Sequence, residues 1–163
     1  GRRRASVSTV SRLGRAGGSG LFCCALSTVL IANGYEVVGL TRAPSPEEGM
    51  IHHVQWDGKT LGEWKKVLDG ARAVVNLTGK NVNCRLTPEN RREIIDSRVN
   101  SVQALGEAIA ECAQPPDVFV QVSAIGIYGD AGDRWCDEDA RRGSGFLADV
   151  SHAWEEAFEE VQA

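Results

Sequence analysis

Ser123 and Tyr128 are the residues of this 163-residue chain whose types and spacing best suit chemistry. They close the run Val120-Gln121-Val122-Ser123-Ala124-Ile125-Gly126-Ile127-Tyr128-Gly129, which starts as a buried strand and ends in a small-residue turn. A serine hydroxyl there could hydrogen-bond a substrate carbonyl or hydroxyl, and a phenol could carry a proton. Open α/β sheets bind ligands in the crevice at the carboxyl ends of their strands, so this pair points to a nucleotide-cofactor site. The competing reading of Tyr128 is a packing aromatic with its hydroxyl at the surface.

Other stretches could serve the same crevice. Gly17-Gly18-Ser19-Gly20 precedes an apolar helical stretch. Glycines let backbone approach a pyrophosphate, and a helix N-terminus offers unpaired N–H groups and a positive dipole end. The third glycine of such a turn would fall at position 23, where Cys23 stands. Arg42 follows the second predicted strand. An acid there would bond a free ribose 2′-hydroxyl and repel a 2′-phosphate, whereas the planar guanidinium of Arg42 suits the phosphate of NADP(H) over NAD(H). Asn76-Leu77-Thr78-Gly79 ends another strand, where small residues could admit a nicotinamide ribose.

The elements that must position these residues alternate in type. Leu21, Phe22, Ala25, Leu26, Val29 and Leu30 recur at helical spacing, and Gly34 supplies a stop. Residues 36–41 and 52–56 read as strands, 61–68 as a short helix, and 73–77 as a strand buried on both faces. Thr87-Pro88-Glu89 opens the longest helix with a cap, a first-turn proline and an acid. Ile95, Val99, Val102, Leu105 and Ile109 line its expected core face. Residues 117–123 form the next strand, and Leu147, Val150, Trp154, Phe158 and Val161 mark a final amphipathic helix.

This order predicts an α/β fold, a Rossmann-like parallel sheet with helices on both faces. The first strand is its weak point, because the place before the glycines holds Arg12-Leu13-Gly14-Arg15-Ala16. Residues 1–16 are therefore expected to be a basic tail or a degraded first strand, and 17–163 the nucleotide-binding domain.

Composition sets the remaining bounds. Hydrophobic residues make up 42% and charged residues 25%, as in ordinary globular proteins. No apolar run is long enough to span a bilayer. The net charge of −4 argues against a nucleic-acid partner. Five scattered cysteines without a CxxC fit a reducing compartment and give neither a metal nor a redox motif. His52 and His53 are adjacent on a strand, point to opposite faces, and make poor partners for one metal. The first 35 residues hold five Arg and no acid. That composition fits an organelle transit peptide as well as an unstructured tail. The expected location is cytoplasmic, with a plastid or mitochondrion as the alternative.

Residues 73–79, Asn90-Arg91-Arg92-Glu93-Ile94-Ile95-Asp96-Ser97-Arg98 and 122–129 together resemble the extended, atypical short-chain dehydrogenase/reductases. Within them the chain is similar to the NAD(P)-dependent epimerase family, in its cell-division-inhibitor-like branch, which includes a plant chloroplast-division protein. Trp56-Asp57-Gly58 and Ala153-Trp154-Glu155 fit the same branch. The resemblance implies an NADP(H)-binding domain in which Gly17, Gly20 and Arg42 hold the phosphates and Thr78 and Gly79 line the ribose. It also implies that Arg98 lies near the cofactor and that Ser123 stands at the catalytic Ser/Thr position.

Two departures qualify that implication. Phe146 and Val150 stand where the superfamily has its Tyr-x-x-x-Lys pair. Family members also run to about twice this length, so the C-terminal substrate region is expected to be absent. Three functions remain open: an NADP(H)-dependent oxidoreductase or epimerase acting on an unknown small molecule, a non-catalytic nucleotide-binding or division-related interaction protein, or an inactive fragment.

Overall fold

A computed structural model describes residues 7–10, 19–42 and 51–162 of the chain. Five parallel strands form one sheet: β1 (Val7–Val10), β2 (Val37–Thr41), β3 (Ile51–Gln55), β4 (Ala73–Asn76) and β5 (Val118–Gln121), in the spatial order β3-β2-β1-β4-β5. Among the described residues three α-helices connect and cover them: α1 (Ser19–Ala32), α2 (Pro88–Ala110) and α3 (Phe146–Gln162). Moving from β1 to β2 runs one way along the sheet, and from β4 to β5 the other. Right-handed crossovers therefore place α1 and α2 on opposite faces, and the reversal between β1 and β4 opens a crevice at the carboxyl edge.

The first strand lies at Val7–Val10, within the stretch expected to be a basic tail or a degraded first strand, and upstream of 12–16. It is central, with Val7 paired to Val37 on one side and to Ala73 on the other. The predicted helix at 61–68 is a single 3-10 turn over Glu63–Val67.

Burial explains the packing. All five residues of β2 are buried, as befits an interior strand of a parallel sheet. Leu40, Leu68, Val74 and Leu105 form a core with Trp56 and Trp64, whose rings stand 5.0 Å apart. Val102, Trp154 and Ala157 form a second cluster between α2 and α3.

Helix α2 thus has two apolar stripes rather than one. Ala104, Leu105 and Ala108 join the main core, while Val99 and Val102 meet α3. Serving both shifts the expected face: Ile94 is fully buried and Ile95 only half-buried. Thr87 caps this helix as read from the sequence, its hydroxyl accepting from the Asn90 N–H at 3.2 Å. Leu147, assigned to the buried face of α3, is 48% exposed, and Ala148 beside it is buried instead.

At the end of the sheet, Phe119 packs edge-on against Phe158, whereas Val118, Val120 and Val122 on the other face of β5 are exposed. No helix among the described residues is long and apolar enough to cross a membrane.

The helices α2 and α3 approach closely at Gly106, where an added Cβ would lie 2.5 Å from the Cβ of Val161. Gly106→Ala should therefore destabilise the protein by about 1–3 kcal/mol in urea denaturation, although alanine is the better helix former by about 1 kcal/mol. Adding Val161→Ala should recover much of that loss. A Gly106→Ala protein at least as stable as the parent would refute the contact.

Candidate functional site

The cleft at the carboxyl edge is assembled by the ends of β2, β3 and β4 and by the first half of α2. Strands β2 and β3 pair as far as Thr41 and Gln55, and the Trp56 N–H then donates to the Thr41 carbonyl at 2.8 Å. Arg42 and Asp57 consequently leave the sheet side by side. They line a cavity of about 460 Å³ together with Lys59, Thr78, Lys80 and Asn100.

The wall from β3 is a fixed turn. Asp57 Oδ1 accepts the N–H groups of Lys59 and Thr60, both at 2.9 Å, and its Oδ2 accepts the Thr60 hydroxyl at 2.6 Å. Gly58 sits at φ +83, a left-handed conformation that glycine adopts at least cost. Burial of Asp57 raises its pKa, but those three donors and the Lys59 charge outweigh it, holding the carboxyl below its ordinary 3.8.

The wall from β4 is organised by Asn76. Its side chain is fully buried. Nδ2 donates to Ser101 Oγ at 3.1 Å and to Gln121 Oε1 at 2.8 Å, and Oδ1 accepts the Thr78 N–H at 3.1 Å. Leu77 is half-buried beside it. Thr78 lines the cavity, and its Oγ1 is buried with no hydrogen-bond partner among the described residues. Trp56 Nε1, on another residue of the lining, is buried and unpartnered too. Two orphaned polar atoms in one cleft fit a ligand that supplies their partners.

Arg98 supports this wall from behind. Its Nη1 donates to the carbonyls of Lys80 at 3.1 Å and Ile94 at 3.0 Å, and its guanidinium stacks 4.9 Å from the Trp154 ring centroid. A Cβ on Gly79 would meet that guanidinium at 2.9 Å, so the absence of a side chain there lets Arg98 reach the loop. Of the glycine turn, Gly17 and Gly18 lie outside the described residues. Ser19 and Gly20 form the start of α1.

The two candidate catalytic residues sit beyond β5. Val122 N–H donates to the Asn76 carbonyl at 3.2 Å, which continues the β4–β5 pairing one step past Gln121, and Ser123 follows at the sheet edge. Ser123 Oγ donates to Glu155 Oε1 at 2.6 Å, and Arg142 Nη2 lies 3.3 Å from Glu155 Oε2. The Tyr128 hydroxyl donates to the Asp137 carbonyl at 2.9 Å. Its pKa is raised above 10.0 by desolvation, reinforced by Glu138, Cys136 and Asp137, the opposite of the activation a proton-transferring tyrosine needs.

Phe146 begins α3 with the Arg91 guanidinium 4.6 Å from its ring centroid, and Val150 is buried. Both positions are therefore used for packing. Sequence reasoning did not assign site roles to Asp57, Lys59, Lys80 or Glu155. Trp56-Asp57-Gly58 and Ala153-Trp154-Glu155 entered only as marks of the family branch, and the register that carries Asp57 to Arg42 is a property of the sheet.

Comparison with known proteins follows this geometry. Residues 16–146 match the model of the NAD dependent epimerase/dehydratase family. An epimerase family protein of Mycobacterium leprae is 34% identical over 144 residues, covering 87% of this chain and 45% of the relative. The chloroplastic homologue of epimerase family protein SDR39U1 from Arabidopsis thaliana is 31% identical over 131 residues, covering 77% and 38%. The crystal structure of human SDR39U1 (isoform 2) with NADPH superposes with a TM-score of 0.72 at 29% identity, covering 96% of this chain and 48% of that one. The chain spans about half the length of the curated relatives it matches.

The environment of Tyr128 gives a pH signature. In a Tyr35→Phe background, ultraviolet titration should place the Tyr128 phenolate midpoint above the ordinary 10.0. Because the folded state favours the neutral phenol, that contribution to stability is complete below pH 10.0 and is lost as pH rises through the folded midpoint. A midpoint at or below 10.0 would contradict the geometry.

Proposed function

The chain belongs to the NAD dependent epimerase/dehydratase family, and from that premise we propose that its cleft binds NADP(H) in preference to NAD(H). The observation that carries the preference is Arg42, an exposed cation at the end of β2 that lines the cleft where an acid would select an unphosphorylated ribose. The NADPH in the solved human SDR39U1 supports the same choice.

In this reading the turn at Gly17, Gly18, Ser19 and Gly20 delivers the pyrophosphate to the N–H groups that open α1. The Thr78 hydroxyl finds its missing partner on the cofactor, beside Leu77 and Gly79. Arg98 and Asn76 act through the backbone they hold. The nicotinamide, when bound, supplies hydride transfer.

For the reacting end we propose an oxidoreductase or epimerase acting on a small molecule, with Ser123 and Tyr128 as the polar groups nearest the nicotinamide. Glu155 holds the Ser123 hydroxyl in one orientation. A second reading, nucleotide binding without turnover, is favoured by one specific arrangement. The acid/base positions are occupied by Phe146, under Arg91, and by buried Val150.

Titrating NADPH and NADH by fluorescence and then assaying carbonyl substrates separates these. Binding with turnover supports the enzyme, binding without turnover supports the second reading, and binding of neither nucleotide overturns both. Arg42→Ala should weaken NADPH about tenfold or more, as expected for loss of a charge-assisted hydrogen bond, and leave NADH within about twofold. Equal losses for the two nucleotides would remove Arg42 from the phosphate site.

A further inference from the structure

We propose that Lys59 is the second cation of the 2′-phosphate subsite and acts with Arg42 to set cofactor specificity. The inference rests on the NADP(H) reading above and deepens it.

The backbone places the two side chains together. The bond from the Trp56 N–H to the Thr41 carbonyl extends the β2–β3 ladder one step past the strands, so Arg42 and Asp57 emerge as neighbours. The turn that follows is fixed by the three hydrogen bonds to the Asp57 carboxylate and by Gly58 at φ +83. Lys59 occupies that turn, and both Arg42 and Lys59 line the cleft and an adjoining cavity beside it.

Charge explains why one cation would not suffice. A phosphate monoester carries about −1.5 to −2 at neutral pH. The ionised Asp57 stands in the same wall and repels it. Arg42 supplies a single positive charge. The third cation of the cleft, Lys80, is already engaged, its Nζ bonded to Asn90 Oδ1 at 2.6 Å and paired with Glu93. The Lys59 N–H donates to Asp57 Oδ1 and its charge acts on that carboxylate, but its ammonium forms no ion pair or hydrogen bond among the described residues. It is the cation in position to complete the charge.

The test measures binding of NADPH, NADH, adenosine 2′,5′-bisphosphate and adenosine 5′-monophosphate by calorimetry, at low and high salt, to the parent, Lys59→Ala, Lys59→Arg and Arg42→Ala proteins. Lys59→Ala should weaken NADPH and the bisphosphate about five- to tenfold and leave NADH and the monophosphate within about twofold. It should also flatten the salt dependence of NADPH binding, and Lys59→Arg should restore both. Equal losses for phosphorylated and unphosphorylated ligands, or no loss for either, would overturn the role of Lys59. If Arg42→Ala discriminates and Lys59→Ala does not, this inference fails while the NADP(H) reading stands. A parent protein that binds none of the four ligands defeats both.

Discussion

The buried amide of Asn76 is the constraint on which the upper edge of this molecule depends. It uses both N–H groups and its carbonyl oxygen, joining β4 to α2 through Ser101, to β5 through Gln121, and to its own turn at Thr78. Ser101 then donates to the Arg98 carbonyl at 2.8 Å, and Arg98 reaches Lys80 and Trp154. Strand, helix and loop are thereby fixed by one connected polar network inside an apolar core. Such networks define a single arrangement only when every member is satisfied, since one unpaired buried group costs about 1–3 kcal/mol. Thr78 Oγ1 is the place where the network stops short, and it stops at the cleft.

The two ends of the cleft differ in character. Toward β2 and β3, fixed backbone carries exposed cations, which suits binding a charged group. Toward β5 and α3, the hydroxyls of Ser123 and Tyr128 already have acceptors, and the helix that should bring a proton donor instead brings a phenylalanine packed under an arginine. Binding and proton transfer are separable demands, and the chain meets the first with more of its residues than the second.

Much of this was legible in the sequence, for local reasons. The strands at 37–41, 73–76 and 118–121 announced themselves by apolar runs, and α2 by its cap at Thr87. Arg42 could be nominated from its place at a strand end, and the structure puts it in the lining of the cleft. The strand Val7–Val10 was not, because Val-Ser-Thr-Val is short, half polar and set among arginines, and only its pairing on both sides identifies it. Ile94 displaced Ile95 because α2 serves two neighbours, a fact no single helical period contains. Lys59 was invisible for a related reason. Its meaning lies in the alignment of two strand ends, and Asn76 likewise could be read as a strand-end polar group without revealing that it turns inward.

The position of β1 bears on how the sheet forms. It is the one strand that touches both β2 and β4, so without it the β2–β3 and β4–β5 pairs are separate ribbons. Its four residues come first along the chain, while one of its partners, β4, begins at Ala73. Closing that distance carries a loop entropy that the β4–β5 and β2–β3 pairings do not share to the same degree, and parallel pairings of this span are slow to form. The cleft lined by the ends of β2 and β4 lies over this junction. The seam with the longest loop to close is thus the one beneath the cleft, and a nucleotide bridging it would act as a clasp across the two halves of the sheet.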